Sequence, residues 1–225
     1  MKIIICAYRE WGINAYEALR ELFPDLCFKL VKSPDQFDAV IEEESPVDAV
    51  FCIGWSWRVK SSITKSNWVV GVHPSDLPEY AGGSPLQHQI MDGVRKTKMS
   101  LFRLTQDLDE GPVLAKMPLS LDGHMDEIFR RLTLVSVVMF SDFIRSRTDK
   151  LEVKKSTGTD AEVIRKRVPP AASKLSHADF SNKTARELYD LIRCHEDPYP
   201  NCYMEDHTGQ LFFKKCVFKK RDLEL

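Results

Sequence analysis

Trp68-Val69-Val70-Gly71-Val72-His73-Pro74 is a short apolar run that stops at a histidine and a proline. A run this short, rich in β-branched residues and closed by Pro74, reads as a strand buried on both faces. Working outward, the same pattern recurs at Lys2 to Ala7, around Cys27 to Val31, and at Ala49 to Ile53, where Gly54 closes it. Trp11, Ala15, Leu19 and Leu22 recur at helical spacing after the first run, and a short helix is expected just before Trp68. Apolar runs alternating with helical segments predict an α/β fold with a mostly parallel sheet and crossover helices.

Downstream, a helix is expected to end near Met91, followed by strand-like segments at Met99 to Leu104 and Val113 to Leu119. Ile128, Leu132, Val135, Met139 and Phe143 then mark one face of a long amphipathic helix. This closes a first domain at residues 1–150, of Rossmann-like type. Residues 151–180, with the Pro169-Pro170 pair, read as a linker. Residues 181–225 read as a small α+β subdomain: a helix opened by a Thr184/Glu187 capping box with Leu188, Leu191 and Ile192 inward, then Leu211 to Phe218 as an edge or hairpin strand.

Composition narrows the function classes. Lys plus Arg number 32 against 33 Asp plus Glu, a formal net charge of -1, which argues against a protein that coats nucleic acid. With 43% hydrophobic and 29% charged residues the chain is globular rather than disordered or fibrous. No apolar run approaches the roughly 20 residues of a membrane helix, and no secretory signal is expected before the first strand. Cys6, Cys27, Cys52, Cys194, Cys202 and Cys216 fit free thiols in a reducing cytoplasm. Cys194, His195, Cys202 and His207 lack the close ligand pairs of common zinc modules, so no metal is expected.

Parallel sheets present ligands at the carboxyl ends of their strands, which draws the eye to the segments after Ala7, Ile53 and Val72. His73 sits one residue past a strand, and an imidazole there can serve as a general base near neutral pH. Thirty-six residues later, Asp109 lies in an acidic turn, Thr105 to Gly111, between two strands that can return to the same edge. A carboxylate beside an imidazole raises its basicity and fixes its orientation. On pattern alone, His73 is equally a structural strand-end histidine and Asp109 a turn former.

His73-Pro74-Ser75-Asp76-Leu77-Pro78 with Tyr80 and Gly82, then Leu108-Asp109-Glu110-Gly111, resembles the signature of the folate-dependent formyltransferases in both residues and spacing. The stretch Gly54-Trp55-Ser56-Trp57-Arg58-Val59 resembles that family's folate loop, and Pro198-Tyr199-Pro200-Asn201 is similar to the C-terminal subdomain of its longer members. Gly71 stands where the family places a catalytic Asn, so the amide donor that helps hold an oxyanion is missing, a loss that commonly costs about a hundredfold to a thousandfold in rate. Gln106, Gln87, His88 and Ser56 are candidate replacements.

The resemblance implies transfer of a formyl group from N10-formyltetrahydrofolate to a primary amine, with His73 and Asp109 catalytic. It further implies that Ser56, Trp57, Arg58, Val59, Thr105, Gln106 and Asp107 hold the folate, and that Tyr8, Arg9, Ser75, Gly82 and Gly83 contact the substrate. The short C-terminal appendage and balanced charge favour an amino sugar attached to a nucleotide, a 4-amino-4,6-dideoxy hexose of a pseudaminic-acid-like pathway among them. A methionyl-tRNA formyltransferase-like enzyme, a formyltetrahydrofolate hydrolase and a catalytically impaired binding homologue are the alternatives. A homodimer is expected by analogy.

Overall fold

The computed structural model describes residues 1–105, 109–146 and 164–221. The sheet builds outward from β1 (Lys2–Cys6), whose neighbours are β2 (Cys27–Val31) and β3 (Ala49–Cys52), both parallel to it. β4 (Val69–His73) adds parallel to β3, and β5 (Lys96–Arg103) and β6 (Val113–Ser120) complete the sheet antiparallel, giving the order β2-β1-β3-β4-β5-β6. The expected α/β architecture with a mainly parallel sheet is therefore present.

The uninterrupted apolar strands follow from burial on both faces. Ile3, Ile5, Phe51 and Val70 join one core cluster, while Ile4, Cys6, Val50 and Val69 join another on the opposite face. α1 (Glu10–Leu22) and α5 (Met125–Arg145) pack together and contribute Trp11, Ala15, Leu19, Ile128, Leu132, Met139 and Phe143 to the first cluster. Leu22, at the last turn of α1, is instead 52% exposed.

The polar stretch after β2 is a helix, α2 (Pro34–Glu44), that hydrophobic spacing barely announces. Ser33 caps it, accepting a bond from the Gln36 N–H, Pro34 starts it, and Phe37 and Ile41 alone are its buried anchors. α3 (Ser61–Ser66) precedes β4, and α4 (Pro85–Met91) follows the loop after His73.

The C-terminal part comprises a 3-10 turn (Pro170–Ser173), α6 (His177–Asn182), α7 (Ala185–Arg193) and a hairpin of β7 (Cys202–Asp206) and β8 (Gly209–Phe213). The capping box on α7 is formed: Thr184 accepts from the Glu187 N–H, and the Glu187 carboxylate accepts from the Thr184 N–H. The last strand stops at Phe213, short of Phe218. A buried polar latch joins this part to the core. Arg193 donates to the carbonyls of Leu121 and Gly123, and Glu196 accepts from the Met125 N–H at the start of α5 while meeting His124 at 2.6 Å.

All six cysteines are free; Cys6, Cys52, Cys194 and Cys202 are buried, whereas Cys27 is exposed. Among the described residues no helix is long and apolar enough to cross a membrane.

Candidate active site

His73 ends β4 and is 7% exposed. Its Nε2–H donates to the Tyr80 carbonyl at 3.0 Å, and its Nδ1 lies 3.5 Å from Asp109 Oδ2. Both ring nitrogens thus face acceptors, and a cationic ring satisfies both where a neutral one satisfies one. The Tyr80 carbonyl is held in place by the loop between. Ser75 donates to the Glu79 carbonyl at 2.6 Å, Ser100 on β5 donates to the Ser75 carbonyl at 2.7 Å, and the Leu77 N–H donates to Ser100 Oγ at 3.1 Å.

Asp109 arrives from the β5–β6 connection in the left-handed region, at φ 58°. Its Oδ2 also accepts the Gly82 N–H at 2.9 Å. One carboxylate oxygen therefore ties together the histidine, the loop that follows it and the β5–β6 connection.

These groups open onto a cavity of about 750 Å³. Of the residues expected from sequence, His73, Asp109, Arg9, Gly82, Gly83, Ser56, Trp57, Arg58, Val59 and Thr105 all line it. Tyr8 stands behind the wall, its hydroxyl 2.6 Å from Ser56 Oγ and its ring 4.6 Å from that of Trp57. Ser75 does not reach the cavity: it is fully buried, and its hydroxyl is spent shaping the loop. Gln106 and Asp107 lie outside the described residues.

Gly71 lines the cavity floor, where the end of one flexible side chain stands in the way of a Cβ. A Cβ at Gly71 would meet Leu104 Cδ1 at 2.6 Å. Of the candidate replacement donors, Ser56 is on the wall, Gln87 is buried away from it, and His88 donates through Nε2 to the Lys166 carbonyl at 2.9 Å; Gln106 is not among the described residues. Tyr199 also lines the cavity, and burial pushes its hydroxyl up to about 12, so it stays protonated.

One part of the wall was not expected. The stretch Ile164 to Arg167, read as linker, runs along the cavity, with Arg165 bridged in parallel to Gly82. Its only sequence signal is the basic triplet Arg165-Lys166-Arg167 ahead of Pro169-Pro170. With Arg9 and Arg58 it gives the described wall five cations against the single carboxylate of Asp109.

This geometry, a strand-end histidine and a carboxylate over a cleft at the sheet edge, bears directly on comparison with known proteins. Residues 33–130 match the formyl transferase family. The formyl transferase match spans α2 through the start of α5, and so includes both His73 and Asp109. A methionyl-tRNA formyltransferase of Thermotoga neapolitana is 28% identical over 155 residues, covering 67% of this chain and 48% of that protein. The chain thus spans about half the length of the curated relatives it matches.

Among solved structures, a methionyl-tRNA formyltransferase from Clostridium thermocellum superposes with a TM-score of 0.86 at 24% identity, covering 97% of this chain and 94% of that one. A sugar N-formyltransferase from Shewanella gives 0.72 at 14% identity, covering 98% and 99%. At these identities the two structures establish the fold.

Proposed function

We propose that the protein is an N-formyltransferase that moves a formyl group from N10-formyltetrahydrofolate to the amine of a nucleotide-linked amino sugar. The observation that carries this reading is the His73–Asp109 pair, 3.5 Å apart and aimed into a cavity with a cationic wall. The family match over residues 33–130 supports the reaction class. The wall fits a folate: Trp57 offers a 41% exposed flat ring, and Ser56, Val59 and Thr105 stand beside it.

N10-formyltetrahydrofolate supplies the activated formyl carbonyl. In the balanced transfer a bond forms between the amine nitrogen and the formyl carbon, the bond from that carbon to N10 breaks, and one proton passes from the amine to N10. Asp109 holds the His73 ring and accepts the amine proton, which then passes on to N10. A protonated His73 ring would stabilise the negative charge that develops on the formyl oxygen. With no side chain at Gly71, that donor role on β4 falls to His73 alone.

The reading is tested by incubating the protein with formyltetrahydrofolate and a panel of nucleotide-linked amino sugars, 4-amino-4,6-dideoxy hexoses included, and following tetrahydrofolate release. Release that requires one of these amines is the expected result. Release without any amine indicates a hydrolase, and release only with methionyl-tRNA indicates the activity named for the Thermotoga and Clostridium proteins. Silence with every amine removes the enzyme reading.

A further inference from the structure

The stretch Ile164 to Arg167 crosses the cavity as a strap clamped at its backbone. The Arg165 N–H donates to the Ala81 carbonyl at 2.8 Å, the Gly83 N–H donates to the Arg165 carbonyl at 2.7 Å, and the Val168 N–H donates to Ser84 Oγ at 3.1 Å. Gly82 and Gly83 make this approach possible. A Cβ on Gly82 would stand 2.3 Å from the Arg165 carbonyl oxygen, and one on Gly83 would stand 2.7 Å from the Arg167 nitrogen. The glycine pair is a seat for the strap, and Gly82 is also the residue whose N–H is held by Asp109.

The clamp sorts the three cations of the strap. Arg165 is engaged, paired with Asp92 at 3.2 Å and lying 4.4 Å over the Tyr80 ring. Lys166 and Arg167 are exposed, line the cavity, and have no carboxylate within ion-pair distance among the described residues. Arg167 makes one bond, to the Ser56 carbonyl at 3.1 Å, which uses one of its five donors. Arg9 and Arg58, which also line the cavity, likewise have no carboxylate partner among the described residues. Elsewhere on the surface Lys60, Lys98, Lys116, Lys174 and Arg130 are each paired with an acid. Cations left without an acid partner along this cavity wall create a local positive field in a chain of net charge -1.

We propose that the strap is a diphosphate-binding element, in which Lys166 and Arg167, lining the same cavity as Arg9, hold the phosphates of the nucleotide-linked substrate. The assignment rests on the formyltransferase reading for the identity of that substrate. Guanidinium forks bind phosphate oxygens in pairs, and a diphosphate bridges more than one cation. Because the strap is seated on Gly82, the same short loop that orients Asp109 positions the bound anion relative to the reacting pair.

The test is calorimetric titration of the full chain with UDP and dTDP, in parallel with 5-formyltetrahydrofolate as a stable folate probe. Lys166 and Arg167 are exposed, so truncating them does not threaten the fold. Wild-type protein is expected to bind at least one of the two diphosphates, more weakly as salt rises. Lys166→Ala and Arg167→Ala should each weaken that binding about tenfold, Lys166→Ala with the folate probe unaffected, and Arg167→Lys should recover part of the loss left by Arg167→Ala. The proposal is overturned if wild-type protein binds neither diphosphate at millimolar concentration, if the alanine variants bind them unchanged, or if the variants lose the folate probe instead, which would assign the strap to the folate carboxylates. Strap-dependent diphosphate binding by a protein that transfers no formyl group supports the strap and removes only the transferase reading.

Discussion

His73 and Asp109 differ in what their loss should reveal. Each is expected to matter for the chemical step rather than for holding folate, Asp109 through the amine proton and His73 through the charge on the formyl oxygen, so His73→Ala and Asp109→Ala should lower kcat by about a hundredfold to ten-thousandfold while the folate probe still binds. Asp109→Asn is the sharper variant, because an amide oxygen can still accept the Gly82 N–H that Asp109 now holds at 2.9 Å, yet carries no charge. Near-normal turnover in Asp109→Asn would show that the carboxylate acts only as a loop tether. Gly71 poses the converse question. Leu104 Cδ1, the end of a flexible side chain, stands 2.6 Å from where a Cβ would be, so Gly71→Asn should push it aside at a cost of about 1 kcal/mol and lower the melting temperature slightly. Leu104→Ala in the same chain should relieve that strain, and only the double variant should gain rate if the missing amide limits it. A rate gain in the single variant at unchanged melting temperature would contradict this account of the floor.

At the scale of elements, what could be read in advance depended on how much of an element's reason for forming lies within its own residues. β1, β3 and β4 were legible because burial on both faces forces an unbroken apolar run such as Ile3-Ile4-Ile5. The start of α7 was legible because Thr184 and Glu187 satisfy each other locally. α2 was not, since two buried anchors, Phe37 and Ile41, leave too thin a stripe to register as periodic. Ser75 looked like a site residue because it sits in the loop of the signature, but its hydroxyl serves that loop's own geometry. The strap was illegible for a physical reason: its conformation is dictated by Gly82 and Gly83, about eighty positions earlier, and nothing within Arg165-Lys166-Arg167 records that contact. That dependence is testable. Gly83→Ala places a Cβ 2.7 Å from the Arg167 nitrogen and should push the strap outward. Under the proposed function it should raise KM for the amine substrate well above any change in KM for the folate. Equal changes in both would show that the glycine pair supports the whole cleft rather than the strap.

For the whole molecule, the C-terminal part is joined to the core through charge and hydrogen bonding as much as through apolar packing. Arg193 is only 1% exposed, bonds Asp190 at 2.6 Å, and donates to the Leu121 and Gly123 carbonyls at 2.6 and 2.8 Å. Those two carbonyls belong to the segment that leads into α5, the helix that packs on α1 beneath the sheet. Replacing Arg193 with Met keeps most of the volume but strips the donors, while Asp190 retains a partner in Arg186 at 2.8 Å. The expected cost is therefore that of unpaired buried carbonyls and a weakened buried ion pair, about 3 kcal/mol, rather than that of a fully abandoned charge. Arg186→Met removes the other cation from the same carboxylate, but at a half-buried helix surface, and should cost about 1 kcal/mol or less. Urea unfolding of the two variants against wild type measures the difference. If Arg193 is the latch, its variant should also lose the C-terminal hairpin signal before the sheet unfolds, because Glu196 on the same segment caps α5 and must let go with it. Equal losses in the two variants, or a single unchanged transition in both, would mean that apolar contacts through Cys194 and Tyr199 hold the two parts together on their own.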